Sequence, residues 1–163
     1  MAGLCTLLAL PGAGPAAGAP ADVRRIAGPD RYATAAAVSA ELYPPGVAVA
    51  YLATGAGFAD ALAAVPAAAR AGGPVLLVEP SAVPAATAAE LARLRPGRIV
   101  VLGGPEAVAP AVIEHLRGLG LGPVTTVAGA DRYQTAAAVS AATFSSGAPA
   151  VFVASGTGFA DAV

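Results

Sequence analysis

Histidine, cysteine and tryptophan are almost missing from this sequence of 163 residues, which has one histidine, one cysteine and no tryptophan. A Ser-His-Asp arrangement needs a histidine beside the nucleophile, and a metal site of the zinc type needs several histidines or thiolates close together. Neither can be assembled convincingly from His115 and Cys5. The sequence therefore predicts a protein that is not an enzyme and has no catalytic residue, no metal ion and no cofactor.

Charge is also scarce. Charged residues make up 12% of the sequence, the formal net charge is −1, and every basic residue is an arginine. Nucleic-acid-binding proteins usually carry a marked basic excess, yet between residues 23 and 123 eight arginines stand against seven acidic residues. This balance argues against a nucleic-acid partner. Any attraction for an acidic ligand would have to be local, with repetition along the chain supplying avidity.

Long apolar runs are missing as well, although 56% of the residues are hydrophobic and the mean hydropathy is +0.70. No run approaches the roughly 20 residues of a membrane-spanning helix, so no transmembrane segment is predicted. Residues 1–21 carry no charge and join an apolar run, Leu4 to Leu10, to the sequence Ala19-Pro20-Ala21. This pattern resembles a secretory signal peptide without its basic start and predicts a secreted protein. A low-complexity leader is the alternative.

What the sequence does have is a tandem repeat with a period of 101 residues. Ile26–Thr34 returns as Val127–Thr135, and Tyr51–Leu62 returns as Phe152–Val163 at the same offset. The register holds without a gap, and a period near 100 residues is the size of a domain. We therefore expect one complete unit at residues 23–123 and a truncated second unit at residues 124–163.

Short β-rich runs alternate with longer alanine-rich runs through the first unit. Strands are predicted at residues 23–27, 47–53, 74–78, 98–102 and 124–128, and helices at residues 30–43, 58–71, 84–94 and 105–119. This alternation is typical of an α/β fold, here a Rossmann-like module in which helices flank a parallel sheet in three layers. In such sheets ligands usually bind at the carboxyl ends of the strands, so the loops that follow the strands are the candidate binding sites.

The loop before the first predicted helix carries the first candidate for ligand binding. Arg31 recurs as Arg132, and a guanidinium group can pair with phosphate or carboxylate through two parallel hydrogen bonds. Asp30 is better explained as the cap of that helix. Tyr32 shares a helical face with apolar residues, which favours a packing role.

The loop after the second predicted strand carries the other candidates. Thr54, Gly55 and Gly57 are small enough to let a ligand approach the backbone there, and Phe58 is expected to anchor the following helix in the core. Asp60 has two open interpretations. It is either a partner of the helix N-terminus or of Arg31, or a polar contact to a sugar. The loop Gly103-Gly104-Pro105 is a further candidate without a polar side chain.

A nucleotide-binding α/β enzyme domain is the strongest competing interpretation. Gly55-x-Gly57-x-x-Asp60 follows a predicted strand and opens a helix, and Glu79 stands about 20 residues further on, as in the dinucleotide-binding fingerprint. Asp60 replaces the third glycine, however, and its carboxylate would repel a pyrophosphate. The fingerprint is therefore a weak match.

Four motifs of the first unit together resemble the cell-wall-binding repeat 2 family of Gram-positive surface proteins. They are Arg25–Ala35, Ala53–Ala63, Pro74–Leu77 and Val100–Gly104, in that order. The resemblance implies a non-catalytic α/β module, usually present in three tandem copies that associate with one another. It also implies that the module holds a secreted protein on the cell wall without a covalent bond, through an anionic wall polymer such as a teichoic-acid-like glycan. Repeats that serve only self-association are a further alternative.

Overall fold

The computed structural model describes residues 23–162, and the predicted leader at residues 1–21 lies outside this range. Its helices and strands follow one another as α1 (Arg31–Leu42), β1 (Ala50–Thr54), α2 (Ala59–Ala71), β2 (Val75–Val78), α3 (Ala85–Leu94), β3 (Ile99–Leu102), α4 (Pro110–Gly118), β4 (Val124–Val127) and α5 (Arg132–Thr143), with a short 3₁₀ turn at Ala160–Ala162. The strands form one parallel sheet in the order β2-β1-β3-β4. None of the helices described is both long and apolar enough to cross a bilayer.

Both faces of the sheet are covered by helices, because successive side chains of a strand point to opposite faces. On one face Leu52 packs with leucine and valine side chains of α3 and α4. On the other face Tyr51 packs with alanines of α2 and with Val139 of α5. β1 and β3 are buried along their whole length, as expected for central strands of a parallel sheet. The predicted α/β fold with helices on both faces is confirmed.

The helix predicted at residues 105–119 begins later than predicted. Residues 105–108 form a turn, in which the N–H groups of Ala107 and Val108 donate to the carbonyl of Gly104. The helix α4 begins only at Pro110, at a position where the missing N–H of proline costs nothing. The extra turn widens the loop after β3, which becomes one wall of the cleft described below.

The strand predicted at residues 23–27 is wrong. Residues 23–28 lie outside the sheet, and Val23 is 89% exposed. The equivalent residues one repeat later form β4, which pairs with β3 from Ile99 opposite Val124 to Leu102 opposite Val127. The edge of β3 that their equivalents use is thereby filled, and residues 23–26 pair with none of the four strands described. The sheet thus runs across residue 123, and the unit boundary placed there stays a prediction.

Candidate functional site

A cleft of about 560 Å³ opens at the carboxyl ends of β1, β3 and β4, between the two repeat units. The loops after β1 and β3 supply one wall, and the turn that leads into α5 supplies the other. The lining residues are Thr54, Gly57, Phe58, Ala59, Asp60, Gly103, Gly104, Pro105, Glu106, Ala107, Gly129, Ala130, Asp131, Arg132 and Thr135. Of the predicted ligand-binding residues, Thr54, Gly57, Asp60 and Arg132 therefore share one cavity.

Arg132 is the only basic side chain among the residues that line this cleft. One of its N–H groups donates to the carbonyl oxygen of Gly156 at 2.8 Å, and its guanidinium carbon lies 5.7 Å from the centre of the Phe58 ring. Among the side chains that the structure describes, no carboxylate forms an ion pair with it within 4.0 Å. Since a guanidinium group has five N–H donors, the orientation of Arg132 is fixed while donors remain for a ligand.

Asp60 lies in the first turn of α2 and faces Arg132 rather than Arg31. Burial raises the pKa of Asp60 above its ordinary value of 3.8, although the positive charge of Arg132 acts in the opposite direction. Of the open interpretations of Asp60, the salt bridge to Arg31 is not formed, whereas Asp60 does lie at the N-terminus of a helix. The carboxylate also lies against Gly103, where a methyl group would come within 2.7 Å of Oδ2.

Arg31 and Gly55 are not among the residues that line the cleft, and they hold the loop after β1 in place instead. Arg31 donates a hydrogen bond to the carbonyl oxygen of Gly55. A methyl group at Gly55 would lie 2.6 Å from the ring of Tyr32, so only a glycine leaves room for that ring. Tyr32 therefore has the packing role that was predicted for it. The predicted cap is also confirmed, since the carboxylate of Asp30 accepts from the N–H of Ala33 at 2.7 Å.

Phe58 was expected in the core, and this expectation is wrong. Its side chain is only half-buried and lines the cleft, where its ring centre lies 5.9 Å from that of Phe159 at an angle of 60°. The two rings are equivalent residues of the two units. The recurrence of a phenylalanine in an otherwise small-residue loop was the signal that could have marked Phe58 as part of the junction.

The position of Glu79 argues against the nucleotide-binding alternative. Glu79, which the dinucleotide fingerprint would use for a ribose, is not among the lining residues.

Comparison with known proteins gives a family and several solved structures that are similar to this chain. The family model described as cell wall binding domain 2 (CWB2) matches residues 25–113 and 126–163. Cwp6 from Clostridium difficile is similar in structure, with a TM-score of 0.67 and 28% sequence identity over 71% of this chain and 18% of that one. Cwp8 from Clostridium difficile gives a TM-score of 0.67 and 29% identity over 71% of this chain and 20% of its own.

The match therefore spans about a fifth of either neighbour. No protein with curated annotation matches the chain. The family model nevertheless covers most of the sequence, including both copies of the arginine turn and both copies of the loop after β1. The chain belongs to the cell wall binding domain 2 family and is a cell-wall-binding module.

Proposed function

We propose that the cleft between the two units binds an anionic polymer of the cell wall and so anchors a secreted protein to the wall without a covalent bond. The observation that carries this proposal is the position of Arg132. Arg132 lines the cleft, its guanidinium group lies above the ring of Phe58, and it makes no ion pair with a described carboxylate. An arginine held in this way is suited to a phosphate or carboxylate of a polymer.

The other groups of the cleft suit the sugar or polyol part of such a polymer. The half-buried ring of Phe58 offers an apolar surface on which a sugar ring can lie. Asp60 can accept hydrogen bonds from hydroxyl groups. The N-terminus of α2 has no side-chain cap, so its first N–H groups are available to an anion. Gly57 and Gly104 leave open space around their Cα atoms, which gives a ligand access to the backbone.

A neutral glycan is the second candidate ligand, and the three carboxylates of the cleft favour it. Asp60, Glu106 and Asp131 outnumber Arg132, and carboxylates are good acceptors for sugar hydroxyl groups. The two ligands differ in how their binding depends on salt. Ionic contacts at an exposed cleft weaken as salt screens them, whereas hydrogen bonds to a neutral glycan do not depend on ionic strength in this way.

The module is proposed to act by adsorption alone. Its only histidine, His115, is exposed on α4 and does not line the cleft. The cleft offers carboxylates and one arginine, but no thiol or imidazole. Asp60 and Glu106 therefore serve as hydrogen-bond acceptors in this proposal, and a wall preparation incubated with the protein should release no sugar or phosphate.

Replacing Arg132 by alanine is expected to weaken retention on purified Gram-positive cell walls by about tenfold or more, because a charge-assisted hydrogen bond contributes about 1.5–3 kcal/mol. The affinity is measured in a sedimentation assay at several salt concentrations. Arg117→Ala is the matched control, since it removes the same charge from an exposed position on α4. An equal loss in both variants would contradict the proposal. Retention that does not change with salt would identify the neutral glycan instead.

Retention on a phosphodiester polymer is expected to strengthen as the pH falls through the raised pKa of Asp60. Protonation of Asp60 removes a negative charge beside Arg132, so the cleft becomes more favourable to an anion. Immobilised poly(glycerol phosphate), whose phosphodiesters stay ionised, is a suitable probe between about pH 7 and about pH 4. The variant Asp60→Asn should bind well at every pH and lack this increase, and an undiminished increase in that variant would assign the effect to another group.

A further inference from the structure

A second cavity, of about 390 Å³, lies between α2 and α5 over the face of the sheet that these two helices cover. It reaches the amino ends of the strands, because its lining includes Arg70 and Ala71 at the end of α2, Ala142 and Thr143 at the end of α5, and Arg98 just before β3. The cleft described above opens instead at the carboxyl ends of the strands. The two share no lining residue and are therefore separate sites.

Small side chains leave this space open. The two helices face each other with Ala67 and Ala71 of α2 and Ala142 of α5 among the lining residues, and an alanine side chain ends at Cβ. The helix ends therefore do not fill the volume above the sheet. The space far exceeds the roughly 30 Å³ that one water molecule occupies in the liquid, so a group of several heavy atoms fits in it.

The alternation of side chains along the strands brings polar groups to this cavity. Tyr51 of β1 lies opposite Val100 of β3, and Arg98 precedes Val100 by two residues. Residues two apart on a strand point to the same face, so Tyr51 and Arg98 share the face that α2 and α5 cover. Arg70 reaches the same cavity from the last turn of α2. Two guanidinium groups and a phenol from three different elements thus line one space.

The two arginines have no carboxylate to neutralise them. Within residues 23–162 neither Arg70 nor Arg98 forms an ion pair, and none of the described residues that line the cavity is Asp or Glu. The guanidinium carbon of Arg70 lies 5.4 Å from the centre of the Phe144 ring, a cation–π contact that orients it. Carbonyl groups at the end of α2 already accept from the N–H of Gly72. The donors of Arg70 therefore remain free.

The hydroxyl of Tyr51 is a third donor without a partner. Tyr51 is only 6% exposed, and its hydroxyl forms no hydrogen bond with the protein atoms described. In the same part of the chain every fully enclosed polar side-chain atom does have a partner, so this hydroxyl must reach open space. The cavity that Tyr51 lines is that space. A buried tyrosine hydroxyl usually finds a hydrogen-bond partner, and here the protein leaves that place to a bound group.

We propose that this cavity binds a phosphate group, held by the guanidinium groups of Arg70 and Arg98 with the hydroxyl of Tyr51 as a third donor. Arginine pairs with phosphate through two parallel hydrogen bonds. The donors come from α2, from β1 and from the residue before β3, so they approach from different directions. A tetrahedral phosphate has enough oxygen atoms to meet all of them, whereas a planar carboxylate has only two. The site does not depend on the function proposed for the cleft.

Inorganic phosphate is the probe, added to the isotope-labelled full chain in slightly acidic buffer, with sodium chloride adjusted to keep the ionic strength constant. The Nε–H signals of arginine in NMR spectra report which guanidinium group binds. We expect saturable shifts for Arg70 and Arg98. Arg95 is the control signal, because it is exposed, forms no described ion pair and does not line the cavity. Equal shifts at all three arginines, or none at Arg70 and Arg98, would overturn the proposal.

Variants test each donor separately. Tyr51→Phe removes only the hydroxyl group, and the repeat itself has a phenylalanine at the equivalent position, Phe152. Tyr51→Phe and Arg70→Ala should each weaken phosphate binding by about tenfold, as expected when a hydrogen bond to a charged group is lost. Arg95→Ala is the matched control and should bind as the native chain does. Unchanged binding in Tyr51→Phe or Arg70→Ala, or an equal loss in Arg95→Ala, would contradict the site.

Soluble poly(glycerol phosphate) distinguishes the two sources of the phosphate group. Shifts of Arg70 and Arg98 with both probes would support the proposal and assign the site to a phosphodiester within a polymer. Shifts with inorganic phosphate alone would also support it and assign the site to free phosphate. Arg132 reports on the cleft through its own signal, so a cleft that fails to bind a polymer leaves the result for this cavity unchanged.

Discussion

Gly103→Ala is expected to lower the free energy of unfolding by about 2–4 kcal/mol. Gly103 has a φ of 101°, a conformation that costs a residue with a side chain about 1–2 kcal/mol. The added methyl group would also lie 2.7 Å from Oδ2 of Asp60 and 2.8 Å from Cβ of Ala107, and such overpacking costs about 1–3 kcal/mol. Asp60 has to move away from its place beside Arg132.

The next residue supplies the control. Gly104 lies in the same loop and lines the same cleft, but a methyl group there would meet no atom within 4 Å. Gly104→Ala should therefore change the free energy of unfolding by no more than about 0.5 kcal/mol. Urea denaturation of both variants measures the difference, and equal stabilities would show that the loop adapts to a side chain at Gly103.

The fold was predictable from the sequence because its signals are local. Continuous apolar runs such as Val75–Val78 and Ile99–Leu102 mark strands covered on both faces. Glycines and prolines mark the ends of the helices between them, as Gly72 does for α2. Short connections between such elements leave few topologies apart from a parallel sheet flanked by helices.

The strand at residues 23–27 could not be judged from its own sequence. Residues 23–26 and residues 124–127 are equivalent in the repeat, yet only the second group pairs with β3. An apolar run forms a strand only where it can pair with another strand. The edge of β3 is taken by residues 124–127. The same holds for residues 151–155, the equivalents of β1, which are exposed and unpaired among the residues described.

The site was only partly predictable, because it combines residues from both units. The sequence pointed to the correct loops, and Thr54, Gly57, Asp60 and Arg132 do meet in one cleft. Arg31 was the first choice within the first unit, but it lies outside the cleft and holds the carbonyl of Gly55. A repeat shows which residues are equivalent. It does not show which copy of one residue packs against which copy of another. Only the packing of α5 on α2 settles that Arg132 faces Phe58.

Glu90→Ala is expected to lower the free energy of unfolding by about 2–3 kcal/mol. The Glu90 carboxylate is 5% exposed and accepts from the Ser39 hydroxyl at 2.6 Å and from Arg93 at 2.7 Å. Arg93 also donates to the carbonyl of Tyr43 at 2.9 Å. These bonds tie α1 to α3, and hydrogen bonds to a charged group contribute about 1.5–3 kcal/mol.

Glu114→Ala is the control, since Glu114 and Arg117 have the same spacing of three residues as Glu90 and Arg93. That pair is exposed on α4, so its loss should cost no more than about 0.5 kcal/mol. Thermal and urea denaturation of the two variants compare the losses directly. Similar losses would mean that the contacts of Glu90 with Ser39 and Arg93 do not contribute to the docking of α1.

The contribution of Glu90 is also expected to depend on pH. Burial acts to raise the pKa of Glu90, but the hydrogen bonds from Arg93 and Ser39 and the charge of Arg93 outweigh it and lower the pKa below its ordinary value of 4.5. A carboxylate whose pKa is lowered by folding stabilises the folded state fully above its unfolded pKa, and this stabilisation is lost as the pH falls through the folded pKa. The stability gap between the native protein and Glu90→Gln should therefore be constant near neutral pH and shrink below about pH 4.5. A gap that persists unchanged in acid would show that the charge of Glu90 contributes nothing and that its shape alone holds α1 on α3.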